Sequence, residues 1–197
     1  MASLYFHLGL EEPALREFQR AFERDPTNEA TQSRLVQAYA ELGRYDDAVA
    51  AHQRFFNRPG PSLAYLRKNQ LGEAQKTIEG ELARNPNDPR TQGARALMLA
   101  LQGKFQEAEA EIPVIMKRAQ YDRAAHHYTY NIAAIYALQG QSQEAIVWLK
   151  KTVELGMPNY TLFARDTHLD QVRKEPAFIQ FMNELKARRE GYQREFR

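Results

Sequence analysis

Residues 35–48 read Leu35-Val36-Gln37-Ala38-Tyr39-Ala40-Glu41-Leu42-Gly43-Arg44-Tyr45-Asp46-Asp47-Ala48. Leu35, Ala38, Tyr39 and Leu42 are spaced by 3, 1 and 3, which draws one apolar stripe along a helix. Gly43 then ends the stripe, because glycine takes the left-handed conformation past a helix end at little steric cost. A second stripe begins at once: Ala48, Ala51 and Phe55 are spaced by 3 and 4. Two helices joined by so short a turn pack antiparallel. Ala48 lets them approach, since a larger side chain there would wedge them apart.

The same marks recur along the chain. Ala14, Ala48, Ala74, Ala108 and Ala145 follow one another at intervals of 34, 26, 34 and 37 residues. Nine residues before each stands a large side chain: Tyr5, Tyr39, Tyr65, Leu99 or Tyr136. Five before stand Gly9, Gly43, Asn69, Gly103 and Gly140, and twelve after stand Pro26, Gly60, Pro86, Gln120 and Met157. Pro59 and Pro158 flank two of the three non-proline marks, Gly60 and Met157. Proline stops the second helix of each pair and starts the next. Dividing 197 residues by a helical-hairpin period of about 34 suggests nearly six units, but the columns support only four and a fraction.

These motifs resemble the tetratricopeptide repeat (TPR). Residues 35–48 are the best copy, followed by Gly103-Lys104-Phe105-Gln106-Glu107-Ala108 and by the Tyr136 to Ala145 stretch. The resemblance implies an all-α fold, a right-handed α-solenoid of antiparallel helix pairs with a C-terminal helical cap. Units are expected at 1–28 (truncated), 29–60, 61–88 (shortened), 89–122 and 123–158, with the cap at 159–197. Met1 falls at the seventh position of a repeat, so the chain reads as a fragment of something longer. The third unit is short by eight residues, about two helical turns. Its first helix is expected to be a stub from Ser62 to about Asn69. Glu81 stands where a small or apolar residue is usual. Pro113 predicts a kink or a broken i→i−4 hydrogen bond in the second helix of unit four. Three extra residues near Ala119–Arg123 precede unit five.

Composition narrows the function. The chain has no cysteine, which excludes a disulfide scaffold, a thiolate metal site and a cysteine nucleophile. Lys and Arg number 27 against 25 Asp and Glu. From Lys174 onward there are six basic and four acidic residues, so the body is neutral and the last helix holds the net +2. A neutral body argues against a nucleic-acid-binding helical repeat, the main alternative reading. No stretch approaches the ~20 apolar residues of a membrane span, and no secretory signal is visible. Membrane insertion is not expected, and a cytoplasmic location is slightly favoured.

After Pro158 the period stops. Pro176 sits where a long helix would start, and Phe178, Phe181, Met182 and Leu185 form its apolar stripe. This segment should cover the apolar face of the last repeat. Leu162, Phe163, Asp166, Leu169, Asp170, Arg173, Pro176 and Phe178 make a pattern similar to the ends of TPR arrays in bacterial signalling proteins, such as receptor-type serine/threonine kinases and membrane-linked transcriptional regulators. That resemblance implies a regulatory segment of a larger protein.

No catalytic, cofactor or metal site is expected, and the chain reads as non-enzymatic. Asp166 or Thr167 reads as a helix N-cap rather than a metal ligand. His126 and His127 are adjacent, and helix neighbours point about 100° apart, which argues against one shared ion. His52 reads as a packed, hydrogen-bonded core residue. The TPR resemblance implies instead a concave groove for a peptide or helix of a protein partner. Carried over by position, its lining is Arg34, Gln37 and Glu41 in unit two, Leu66 in unit three, Arg90, Leu97 and Leu101 in unit four, and His127, Tyr130, Asn131 and Ala134 in unit five. Arg34 and Asn131 match column types of the family's carboxylate clamp, without its other members. The truncated first unit should leave Leu4, Tyr5 and Leu8 partly uncovered, an edge for self-association.

Overall fold

The computed structural model describes residues 1–119 and 122–196. The described residues form helices and no strands. Five helix pairs follow in order: α1 (Ala2–His7) with α2 (Glu11–Arg24), α3 (Glu29–Glu41) with α4 (Tyr45–Phe56), α5 (Ser62–Arg67) with α6 (Leu71–Arg84), α7 (Pro89–Leu101) with α8 (Phe105–Ala119), and α9 (Ala125–Leu138) with α10 (Ser142–Glu154). Each pair packs on itself, and successive pairs pack in series. The expected solenoid of helix pairs is therefore present.

The sequence columns explain the turns. Gly9, Gly43, Gly103 and Gly140 have φ of 71°, 75°, 76° and 74°, and Asn69 takes the same left-handed conformation at 55°. In all five turns the next residue donates its backbone N–H to the carbonyl of the large residue in the column: Leu10 to Tyr5, Arg44 to Tyr39, Gln70 to Tyr65, Lys104 to Leu99 and Gln141 to Tyr136. A second bond runs from each left-handed residue to the carbonyl three back, such as Gly9 to Phe6 and Asn69 to Leu66. This is the Schellman closure, and it satisfies carbonyls that a helix end leaves free. Ala14, Ala48, Ala74, Ala108 and Ala145 are all completely buried where the helices cross.

Three places depart from the regular repeat. The stub α5 ends at Arg67, two residues earlier than the expected boundary at Asn69, because Asn69 already occupies the turn. α8 continues through Pro113 as one helix, although proline has no N–H to donate there. The expected insertion near Ala119–Arg123 lies partly outside the described residues.

The cap comprises α11 (Tyr160–Arg165), a 3₁₀ segment (Thr167–Val172) and α12 (Pro176–Glu195). It covers the last repeat through Phe178, Phe181, Met182 and Leu185, all buried. It also reaches back to the start of the chain. Asn159 Nδ2 donates to the Phe6 carbonyl at 2.8 Å, and Arg189 Nε donates to the Gly9 carbonyl at 3.0 Å. Arg165 donates to Glu11 Oε1 and to the Glu41 carbonyl, both at 2.5 Å. Tyr5, expected at an open edge, meets the ring of Phe196 edge-on at 5.8 Å. One core cluster accordingly joins Phe6, Ala14 and Phe18 to Tyr130, Phe163 and Phe178. Burial of each phenylalanine in this cluster contributes roughly 1.5–3 kcal/mol relative to leaving it exposed.

Candidate functional site

The first helices of the pairs face the inside of the array, and the cap enters that space. Arg67, the last residue of α5, meets Asp166, the N-cap of the 3₁₀ segment. Their side chains are only 5% and 2% exposed. The Arg67 guanidinium also donates to His168 Nδ1 and, at 3.4 Å, to Asn131 Oδ1. It lies 5.2 Å from the centre of the Tyr130 ring. The Tyr130 hydroxyl donates to the same Asp166 carboxylate, and the His168 backbone N–H donates to it at 3.0 Å. Arg173 closes the segment by donating to the backbone carbonyls of Asp166 and Phe163 at 2.6 and 3.3 Å.

The electrostatics follow from burial. Desolvation by itself would raise the Asp166 carboxyl, but Arg67, His168 and the hydrogen bond from Tyr130 hold it below the ordinary range. Burial, aided by the neighbouring Arg67 charge, pushes His168 down to about 4. A neutral imidazole is what allows Nδ1 to accept from Arg67. Burial and the Asp166 charge push the Tyr130 phenol well up, so it remains a donor. The Asp166 N-cap is visible in sequence. Its partner Arg67 is 99 residues away, and no local signal links them.

What the tail leaves open is a cavity of about 550 Å³. Gln37, Glu41, Arg90, His127, Tyr130 and Asn131 line it. The other expected groove residues lie elsewhere. Leu66, Leu97 and Ala134 are completely buried in the second core cluster, and Leu101 packs against that cluster. Leu66, Leu97 and Ala134 cannot offer surface to a partner, because adjacent hairpins cover them. Arg34 is exposed and lies outside the cavity lining. Glu81, out of place in sequence, accepts from Ser62 Oγ at 3.2 Å and Thr91 Oγ1 at 3.3 Å at the cavity wall. His52 also lines the cavity and packs on Phe56 at 5.0 Å; its buried Nδ1 makes no hydrogen bond of good geometry, while the backbone of Arg58 and Pro59 lies close enough to influence the ring.

At one edge of the cavity, Glu41 accepts from Gln37 Nε2 at 2.7 Å and lies 3.5 Å from His127 Nε2. Burial pushes the Glu41 carboxyl up to about 8 and His127 down to about 3. His7 from α1 stands beside this pair. Its ring centre is 4.4 Å from that of His126, and the centres of His126 and His127 are 4.3 Å apart. The two adjacent histidines therefore converge, contrary to the expectation from helix geometry: they sit in the first turn of α9, where their rings turn toward α1.

No helix among the described residues is long and apolar enough to cross a membrane. Tetratricopeptide-repeat family models match residues 12–54 and 62–112. The chain is similar to the Arabidopsis thaliana small ribosomal subunit protein mS81 (rPPR8), with 26% identity over 148 residues, 66% of this chain and 21% of the relative. It is also similar to the cytochrome c-type biogenesis protein CycH of Rhizobium meliloti (strain 1021), with 36% identity over 97 residues, 44% of this chain and 26% of the relative. The matched stretches thus span about a fifth to a quarter of the relatives' length. With the left-handed turns, the buried alanine column and the stacked hairpins, these matches place the chain in the tetratricopeptide-repeat family.

Proposed function

We propose that this chain is a protein-interaction module that holds a short, extended peptide segment of a partner in the cavity between its first helices. The observation that carries this reading is the cavity itself, of a size usual for ligand sites. Its wall mixes apolar surface from Val36, Ala40 and Leu63 with polar groups from Gln37, Arg90 and Thr91. Such a lining suits alternate apolar and polar side chains of an extended strand better than one apolar helix face. TPR arrays are typically non-enzymatic scaffolds, which agrees. A regulatory role within a larger signalling protein belongs to this proposal and rests on the resemblance of residues 162–178. A nucleic-acid partner is disfavoured, since the body of the chain is electrically neutral and only the last helix holds the net positive charge.

Selection of peptides from a random displayed library against the intact chain tests the reading. Enriched peptides should bind saturably and lose at least tenfold in affinity to Ser33→Arg and Ala40→Arg, which narrow the cavity. Failure to enrich any peptide, or enrichment insensitive to both substitutions, overturns it.

A further inference from the structure

We propose that His7, His126 and His127 form a zinc-binding site that ties the first helix of the chain to the first helix of the fifth repeat at the cavity edge. One potential ligand atom from each residue lies within 4.8 Å of the other two. Tetrahedral zinc with Zn–N bonds of about 2.0–2.1 Å sets nitrogens about 3.3 Å apart. Binding therefore calls for the three side chains to draw together from their present spacing. Convergence of three imidazoles from two elements 119 residues apart in sequence is not a consequence of the repeat columns, which place no histidine at any of these positions in the other units.

A second observation is independent of that geometry. His126 is only 5% exposed, and neither ring nitrogen makes a hydrogen bond of good geometry. An imidazole buried without partners costs stability. A metal ion on one nitrogen supplies the missing partner. The backbone of Leu155 lies close enough to influence the ring and can orient the other nitrogen. His127 directs Nε2 toward Glu41, which leaves Nδ1 for the ion and makes Glu41 the carboxylate behind a metal-bound histidine.

The charge balance is workable. Arg90 acts against a cation near His127, while Asp122 acts for it. Glu41, 3.5 Å from His127 Nε2, is a carboxylate beside such a cation. Neutral imidazole favours zinc, copper and nickel over magnesium and calcium.

The test uses the whole chain without a histidine tag, titrated with zinc alone by calorimetry and with cobalt as a visible reporter of tetrahedral nitrogen ligation. One equivalent should bind and raise the melting temperature, with no response to magnesium. His7→Gln and His126→Gln should each cut affinity at least a hundredfold, Glu41→Gln by ten- to a hundredfold, and His52→Gln not at all. His7 is half-buried, so its variant should keep the helical circular dichroism of the parent. The cobalt spectrum of the unaltered chain reads the site without any substitution. Absence of saturable binding, an octahedral cobalt spectrum, or unchanged affinity in His7→Gln overturns the proposal.

Discussion

The tail anchor can be tested by removing Asp166. Asp166→Ala leaves the Arg67 guanidinium with its side chain 5% exposed and no carboxylate. Arginine cannot shed its proton to escape the cost. Breaking a buried pair in this way costs about 3–5 kcal/mol, against a total stability of about 5–15 kcal/mol for a domain. For a chain of this size each kcal/mol moves the melting temperature by about 2–4 °C, so a fall of roughly 6–20 °C is expected. The lost stability should be concentrated in the cap. Trp148 is the only tryptophan and packs against the cluster that contains Phe163 and Phe178, so its emission should shift red at lower urea. Hydrogen exchange should show lost protection across residues 159–185 before the helix pairs open. The double variant Arg67→Met/Asp166→Leu should recover most of the loss, because apolar replacement of a buried pair is often neutral or better. A loss below about 1 kcal/mol with intact protection in the cap would refute the reasoning, as would a double variant no more stable than the single one.

Three further outcomes follow from the same structure. His168 is held neutral with its pKa at about 4, below its unfolded value of about 6.5, so its contribution is present above that value and is lost as pH falls through this window; Asp166, with its pKa lowered beside Arg67, adds a second loss at more acid pH. Cap-specific fluorescence should therefore report acid detachment starting near pH 6, and His168→Gln should remove the first step. Asn69 has φ of 55° in the one repeat turn without glycine, so Asn69→Gly should be neutral or stabilise by up to ~1 kcal/mol, while Asn69→Val should destabilise by ~1–2 kcal/mol in urea melts. Of the edge residues, Leu4 is the most open at 45% while Tyr5 lies on Phe196; sedimentation should show self-association through this edge that Leu4→Glu abolishes, and a strict monomer at high concentration would count against it.

The repeat turns were legible because each is a local event. Gly43 or Asn69 must end a helix wherever the backbone turns left-handed, and the alanine column must be small wherever two neighbouring helices touch. Such constraints act within about ten residues, so spacing alone exposes them. The groove residues were legible only by half. Gln37, Glu41 and Arg90 line the cavity as position implies. Leu97 and Ala134 do not, because the curvature of the array decides which faces remain open, and curvature depends on side-chain packing between units.

The cap shows the same division most sharply. Its apolar stripe and the Asp166 N-cap could be read from residues 159–185, since amphipathic spacing and capping are properties of one segment. That the cap would also return to Phe6, Gly9 and Glu11 could not, and neither could the pairing of Arg67 with Asp166 or of His7 with His126. The helix pairs, their turns and their buried seam follow from the order of residues alone, because these are short-range consequences of periodicity and backbone conformation. Only the tertiary structure decided which concave positions are filled by the chain's own tail and which histidines meet, because those contacts arise when the array closes on itself and residues far apart in the chain share one dry interior.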